Sequence, residues 1–85
     1  MHSLKTNLPE ARIIGSLVYT VWNLYRKSAK RFDPSESVGV IVPYRNQIAM
    51  IRKELAAYEV DELLDITIDT VERYQGSERD VMIYG

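Results

Sequence analysis

The sequence predicts an α/β domain built on a parallel three-stranded sheet with two main helices. Two observations carry that expectation. The runs Val38–Val42, 66–71 and Val81–Tyr84 are short and apolar, as strands covered on both faces are. Two longer stretches, one before the first run and one after it, repeat apolar residues every three or four positions, which is the period of an amphipathic helix.

Composition sets the bounds. A chain of 85 residues makes one domain at most, with a core of marginal size. The net charge is -1, from 11 basic and 12 acidic side chains, so no global field recruits a polyanion and any nucleic-acid contact has to be local. Cysteine is absent, which removes disulfides, thiolate nucleophiles and zinc-thiolate sites and fits an intracellular setting. The single histidine, His2, leaves no histidine triad or histidine metal site, and no metal site is expected. No run is long enough to span a bilayer, and residues 1–7 lack the apolar core of a signal peptide, so no membrane partner is expected.

The elements follow in order. Asn7, Pro9 and Glu10 read as a helix start: a cap, a first-turn proline, and an acid placed to return a bond to the cap. The helix spans 9–28, with Ile14, Leu17, Val18, Val21, Trp22 and Tyr25 on its buried stripe and Arg12, Ser16, Asn23 and Arg26 outward. Arg26, Lys27, Lys30 and Arg31 gather at its end, where they complement the helix dipole or form a phosphate-binding patch. Trp22, on the apolar stripe, belongs to the core or an interface rather than to a base-stacking platform.

Residues 32–37 are rich in turn formers, and Pro43 ends the first strand because it cannot donate to a ladder. A second helix over 44–58 buries Ile48, Ile51 and Leu55 and exposes Arg52, Lys53 and Glu54. Its first turn, Tyr44 to Gln47, sits at the carboxyl end of a strand, where amides and dipole favour anions; equally, Arg45 can be a plain surface residue and Gln47 a helix former. An acidic connector, 59–65, leads to the second strand. About nine residues then separate the second strand from the third, which is short for a parallel crossover; parallel pairing with one helical turn at 74–77 is still expected, because all three strands are apolar and want helices on both faces. The polar stretch between these strands, Glu72 to Asp80, holds Gly76 among side chains able to bind phosphate, sugar or water. Its structural alternative is Glu78 pairing with Arg73 or Arg79, Gln75 satisfying loop amides and Gly76 making a turn.

Gly39-Val40-Ile41-Val42-Pro43-Tyr44-Arg45-Asn46-Gln47 and Thr70-Val71-Glu72-Arg73-Tyr74-Gln75-Gly76-Ser77-Glu78-Arg79-Asp80-Val81 resemble motifs IV and V of superfamily 1 helicases. The nearest branch is that of the nonsense-mediated-decay helicase and the replication nuclease-helicases. The family pattern is an apolar strand ending in Thr-Pro-Tyr with a following Gln, and later Thr-Val-Asp-x-Phe-Gln-Gly-x-Glu-x-Asp. Asn7, Glu10 and Ala11 match the Asn-x-x-Glu-Ala of the helix before motif IV. Val42 replaces Thr, Glu72 replaces Asp and Tyr74 replaces Phe; the first loses a hydroxyl that could meet phosphate.

The resemblance implies a partial RecA-like fold of the P-loop NTPase type, with residues 1–85 a piece of the second RecA-like motor domain. It implies ATP in a cleft between two such domains, with single-stranded DNA or RNA crossing both. Arg45, Gln75, Gly76 and Glu78 fall on positions of the ATP cleft. Pro43, Tyr44, Thr70 and Val71 fall on positions that touch the nucleic acid. No GxxxxGK[ST] loop, acidic magnesium motif or arginine-bearing motif VI is present, so ATP and Mg are expected as cofactors of the intact parent, none is expected in this stretch, and the stretch alone is expected to be inactive. Its expected partners are the first RecA-like domain, the motif VI region and the single strand. Too few helices for three apolar strands leads us to expect self-association as well. The competing reading is a stand-alone α/β interaction module that lacks motor activity.

Overall fold

The computed structural model describes residues 8–74 and 79–85. Helix α1 (Leu8–Lys27) leads to strand β1 (Val38–Val42), helix α2 (Asn46–Ala56), a 3-10 turn (Asp61–Asp65), strand β2 (Thr67–Thr70) and strand β3 (Val81–Tyr84). The sheet order is β2-β1-β3, and both neighbours run parallel to β1. The expected α/β architecture is therefore present. The Asn7 cap and the helical turn expected at 74–77 fall wholly or mainly outside the described residues.

Alternation along β1 sorts the sheet into two faces. Val38, Val40 and Val42 are buried and join one core with Ile14 and Val18 of α1 and Ile51 and Leu55 of α2. In register with Val40 lie Ile68 and Ile83, so one apolar row crosses all three strands. Both helices thus share a single face, whereas helices on both faces were expected. Strand order supplies the reason. Parallel crossovers are right-handed, so a chain that steps from β1 to β2 and then back past β1 to β3 must make its second crossing on the opposite face.

Of the described residues between β2 and β3, Tyr74 and Arg79 lie on that face, and Gly39 makes room for them. Thr67, Gly39 and Met82 share a row on the second face. Tyr74 lies on Gly39, its hydroxyl meeting Met82 Sδ at 3.9 Å, while Arg79 covers the Tyr74 ring at 5.3 Å and donates to Thr67 Oγ1 at 3.3 Å. A Cβ at position 39 would stand 3.0 Å from Arg79 Cγ and 3.1 Å from Tyr74 Cζ, and would overlap the Tyr74 hydroxyl.

Several side chains depart from expectation. Leu17 is 46% exposed, because its side of α1 faces away from both α2 and the sheet. Phe32, read as part of a turn, is buried edge-on against Tyr25 at 5.6 Å. Glu54 is half-buried, close to Gly15 and 3.9 Å from Arg12, and Arg52 reaches the Leu64 and Ile66 carbonyls. Helix α2 is shorter than 44–58, starting after an Arg45 cap and ending before a turn that puts Glu59 at φ 58. Strand β2 stops at Thr70, whose carbonyl accepts from the Arg73 and Tyr74 amides and so bends the chain away. Val71 is in that turn, not in the strand.

Helix α1 ends in a Schellman motif: Lys30 donates to the Tyr25 carbonyl at 2.9 Å, Ala29 to that of Arg26 at 3.1 Å, and Ala29 sits at φ 56. Ala29→Gly is expected to stabilise the chain by about 0.5–1 kcal/mol in urea unfolding, because glycine takes this conformation without a Cβ clash. Gly39→Ala is expected to cost roughly 1–3 kcal/mol, and less once Tyr74→Ala has removed the obstacle. Equal costs in the two backgrounds would show that the crossing does not depend on Gly39.

Candidate functional site

The carboxyl ends of the strands gather the polar machinery. Val42 pairs with Thr70, so Pro43, Tyr44 and Arg45, which follow β1, lie beside Thr70 and Val71, which end β2. The Gly85 amide donates to the Ile41 carbonyl at 2.8 Å, which brings the end of β3 to the same edge. Pro43, Tyr44, Arg45 and Val71 are all exposed. Successive strands are added on opposite sides of β1, and in doubly wound sheets ligands occupy the crevice outside the carboxyl ends where the strand order reverses in this way. The candidates on β1 and β2 are therefore brought together, while Gln75, Gly76 and Glu78 lie outside the described residues.

Thr70 is the unusual member. The residue is 4% exposed, and Oγ1 finds no hydrogen-bond partner among the described residues. Its amide is used by Asp69 Oδ1 at 2.8 Å. A buried hydroxyl left unpaired costs about 1–3 kcal/mol, which sets Thr70 apart from the other candidates.

Gln47 is the residue that sequence reasoning undervalued. It is 5% exposed, accepts from the Tyr44 amide at 3.2 Å and donates from Nε2 to Glu10 Oε1 at 3.0 Å. The first bond resembles the back half of a capping box, displaced to the residue before the Arg45 cap. The second ties the first turn of α1 to the turn that carries Tyr44 and Arg45. A signal was present: Glu10 and Gln47 are both motif positions, but nothing in their spacing shows that the two motifs touch. Arg45 starts α2 with helical dihedrals and no side-chain cap bond, and stands in solvent.

Asp80, an acid of the same motif, has a structural task. It accepts from the Tyr25 hydroxyl at 2.9 Å, and its amide donates to the Glu36 carbonyl. Burial, reinforced by that bond, pushes the Tyr25 phenol above its ordinary pKa. Tyr74 and Arg79 hold the two ends of segment 75–78 together on the second face of the sheet. Among the described residues, no group of three or more His, Cys, Asp or Glu side chains could hold a metal ion. A groove of about 410 Å³ between α1 and α2, lined by Arg12, Met50, Lys53 and Glu54, contains none of the candidate residues.

The topology is that of a doubly wound α/β sheet, consistent with a partial RecA-like fold. The chain belongs to the AAA domain family, whose model matches residues 2–85. It is 34% identical over 80 residues to Helicase SEN1 of Saccharomyces cerevisiae, covering 92% of this chain and 3% of that protein. It is 42% identical over 50 residues to the DNA polymerase alpha-associated DNA helicase A of the same yeast (59% and 7%). With the DNA replication ATP-dependent helicase/nuclease DNA2 of Xenopus laevis it shares 34% over 71 residues (84% and 6%). The chain thus spans a small fraction of the curated relatives it matches, and those relatives agree with the superfamily 1 resemblance read from the motifs. No solved structure matches the chain significantly. Among the described residues no helix is long and apolar enough to cross a membrane.

Gln47→Leu is expected to destabilise the chain by about 1–3 kcal/mol in urea, because it strands the Tyr44 amide and a Glu10 oxygen. Gln47→Glu keeps an acceptor for Tyr44 but sets a second carboxylate against Glu10. Its deficit should shrink as added salt screens the like charges. A deficit independent of salt would show that the Glu10 contact is not what matters.

Proposed function

We propose that residues 1–85 are a piece of the second RecA-like domain of an ATP-dependent superfamily 1 helicase or translocase, working inside the cell on single-stranded nucleic acid. The observation that carries this reading is the buried, unpartnered Thr70 hydroxyl beside Val42, at the edge where Pro43 and Tyr44 are exposed. Those are the positions that the resemblance gives to the strand. The helicase names of the relatives support the same class.

On this reading a shift of the turn after β2 uncovers Thr70 Oγ1, which then gives its hydrogen bond to a backbone phosphate, and Tyr44, 46% exposed, offers a ring to a base or sugar. Such contacts position a strand without reading its sequence. Arg45, the next residue, fits the terminal phosphate of a nucleotide on its other side, with Gln75, Gly76 and Glu78 completing this half of the cleft. Bound ATP with Mg supplies the phosphoryl-transfer step, and the described residues of this chain provide no ligand set for the metal, which falls to the remaining motor domains. Tyr44 and Arg45 share one turn held by Gln47, so a displacement at the nucleotide passes directly to the strand contact.

The stand-alone interaction module remains the second reading, favoured by the exposed apolar side of α1. Titration of labelled chain with an oligothymidylate of about 12 nucleotides at low salt, followed by amide NMR, separates the two. The motor reading expects shifts centred on Tyr44, Thr70 and Val71, a dissociation constant weaker than about 10 μM because half a cleft supplies half the contacts, and roughly tenfold weaker binding in Thr70→Val. Shifts confined to other surfaces, or none at millimolar concentrations, would sink it.

A further inference from the structure

We infer that Glu10 is a positioning residue for the strand contact, a role that rests on the strand reading of this edge: through the side-chain amide of Gln47 it sets the orientation in which the turn after β1 presents Tyr44. Residue 44 is held by residue 47 on both sides. The Tyr44 amide donates to Gln47 Oε1 at 3.2 Å, and the Gln47 amide donates to the Tyr44 carbonyl at 3.1 Å. Pro43 has no amide to give, so the Tyr44 amide is the first donor after the proline that ends the strand.

A glutamine side chain can enter such a contact either way round, and only one way serves Tyr44. An N–H donor needs the carbonyl oxygen; the NH2 end turned toward it would make no bond. Glu10 makes the choice. A carboxylate offers acceptors only, so by accepting from Gln47 Nε2 at 3.0 Å it takes the NH2 end and leaves Oε1 to Tyr44. Gln47 is buried and Glu10 half-buried, whereas Pro43, Tyr44 and Arg45 in the turn they hold are exposed. The clasp is inside, where water competes least with its bonds, and the presented side chains are outside. Glu10 stands 37 residues before Gln47, in the first turn of α1, and α1 is fixed to the core by Ala11, Ile14 and Val18. The acceptor thus has a rigid support, and a turn ordered before the strand arrives spares binding an ordering cost.

Two other roles for this acid give different results. An acid in the first turn of a helix complements the helix dipole, and that role alone does not reach the Tyr44 amide. An acid near a phosphate-binding edge repels the strand, and exchanging it for a base would then tighten binding. Positioning gives the opposite sign. Lysine offers donors only, so in Glu10→Lys it draws Gln47 Oε1 to itself and strands the Tyr44 amide.

Amide hydrogen exchange of the free chain, together with titration by an oligothymidylate of about 12 nucleotides, tests this. In the wild-type chain the Tyr44 amide and the Gln47 side-chain amide are expected to exchange more slowly than unprotected groups. Glu10→Leu is expected to speed exchange at Tyr44 while the amides of β1 and α2 stay as they were, and to weaken oligonucleotide binding about threefold. Glu10→Lys is expected to weaken it about tenfold, and Glu10→Gln, whose amide oxygen still accepts, to bring both readouts back to within about twofold of wild type. Tighter binding in Glu10→Lys overturns the inference. So does a wild-type chain in which both amides exchange at unprotected rates, a readout that needs no variant to fold. Loss of Tyr44 protection without any change in affinity removes the positioning role and leaves the strand reading standing. A protected Tyr44 amide in a wild-type chain that binds no oligonucleotide at millimolar concentration sinks the strand reading itself, and the role of Glu10 in binding with it.

Discussion

The path of the chain beyond β2 depends on a side chain that is missing, at Gly39. A central strand with parallel neighbours on both sides forces the chain to cross back over it, and the helices have already taken the other face. The crossing has to lie flat on β1, and only a residue without a Cβ permits Tyr74 and Arg79 to rest there. The contacts that then hold it are few and individually weak, a ring–guanidinium stack and two hydrogen bonds of about 1 kcal/mol each. The opposite face is sealed by the row Ile68, Val40 and Ile83 under Val18, Ile51 and Leu55, where each side chain removed from water contributes about 1.5–3 kcal/mol. The sheet has one strongly held face and one lightly held face.

Much of the fold was legible because local pattern and tertiary role coincide. Val38–Val42 is apolar throughout and ends in a proline, and it is a central strand stopping at that proline. Ile14, Val18 and Tyr25 recur at helical spacing and are core. What was illegible depended on strand order, which leaves no local trace. Leu17 lies on the apolar stripe of α1, yet whether that side is covered depends on which strand stands beneath it. Phe32 sits among turn formers and is buried because the chain leaving α1 folds back on Tyr25. Both described helices lie on one face of the sheet, which strand composition alone does not reveal.

The site was readable in part for the same reason. Pro43, Tyr44, Thr70 and Val71 are strand-end residues, and parallel pairing of β1 with β2 is enough to make them neighbours. The bond from Gln47 to Glu10 joins motifs whose separation in sequence says nothing of their contact. Asp80 carries the look of a functional acid, since motif position cannot separate a carboxylate that meets a ligand from one that holds Tyr25. Thr70 is the converse case: any threonine can sit at a strand end, and only burial without a partner sets this one apart.

The layout of α1 also governs the order in which the molecule can assemble. It is made first, but the surfaces that cover it, α2 and β3, are made later, and β3 comes last. Until then the helix shows apolar residues on more than one side, with no sheet to lie on. Strand β1, α2 and β2 form a compact local unit whose contacts are close in sequence, whereas closing β3 onto the far side of β1 requires a long loop to be drawn in. The natural nucleus is therefore the middle of the chain, on which α1 docks chiefly against α2 and β3 against β1.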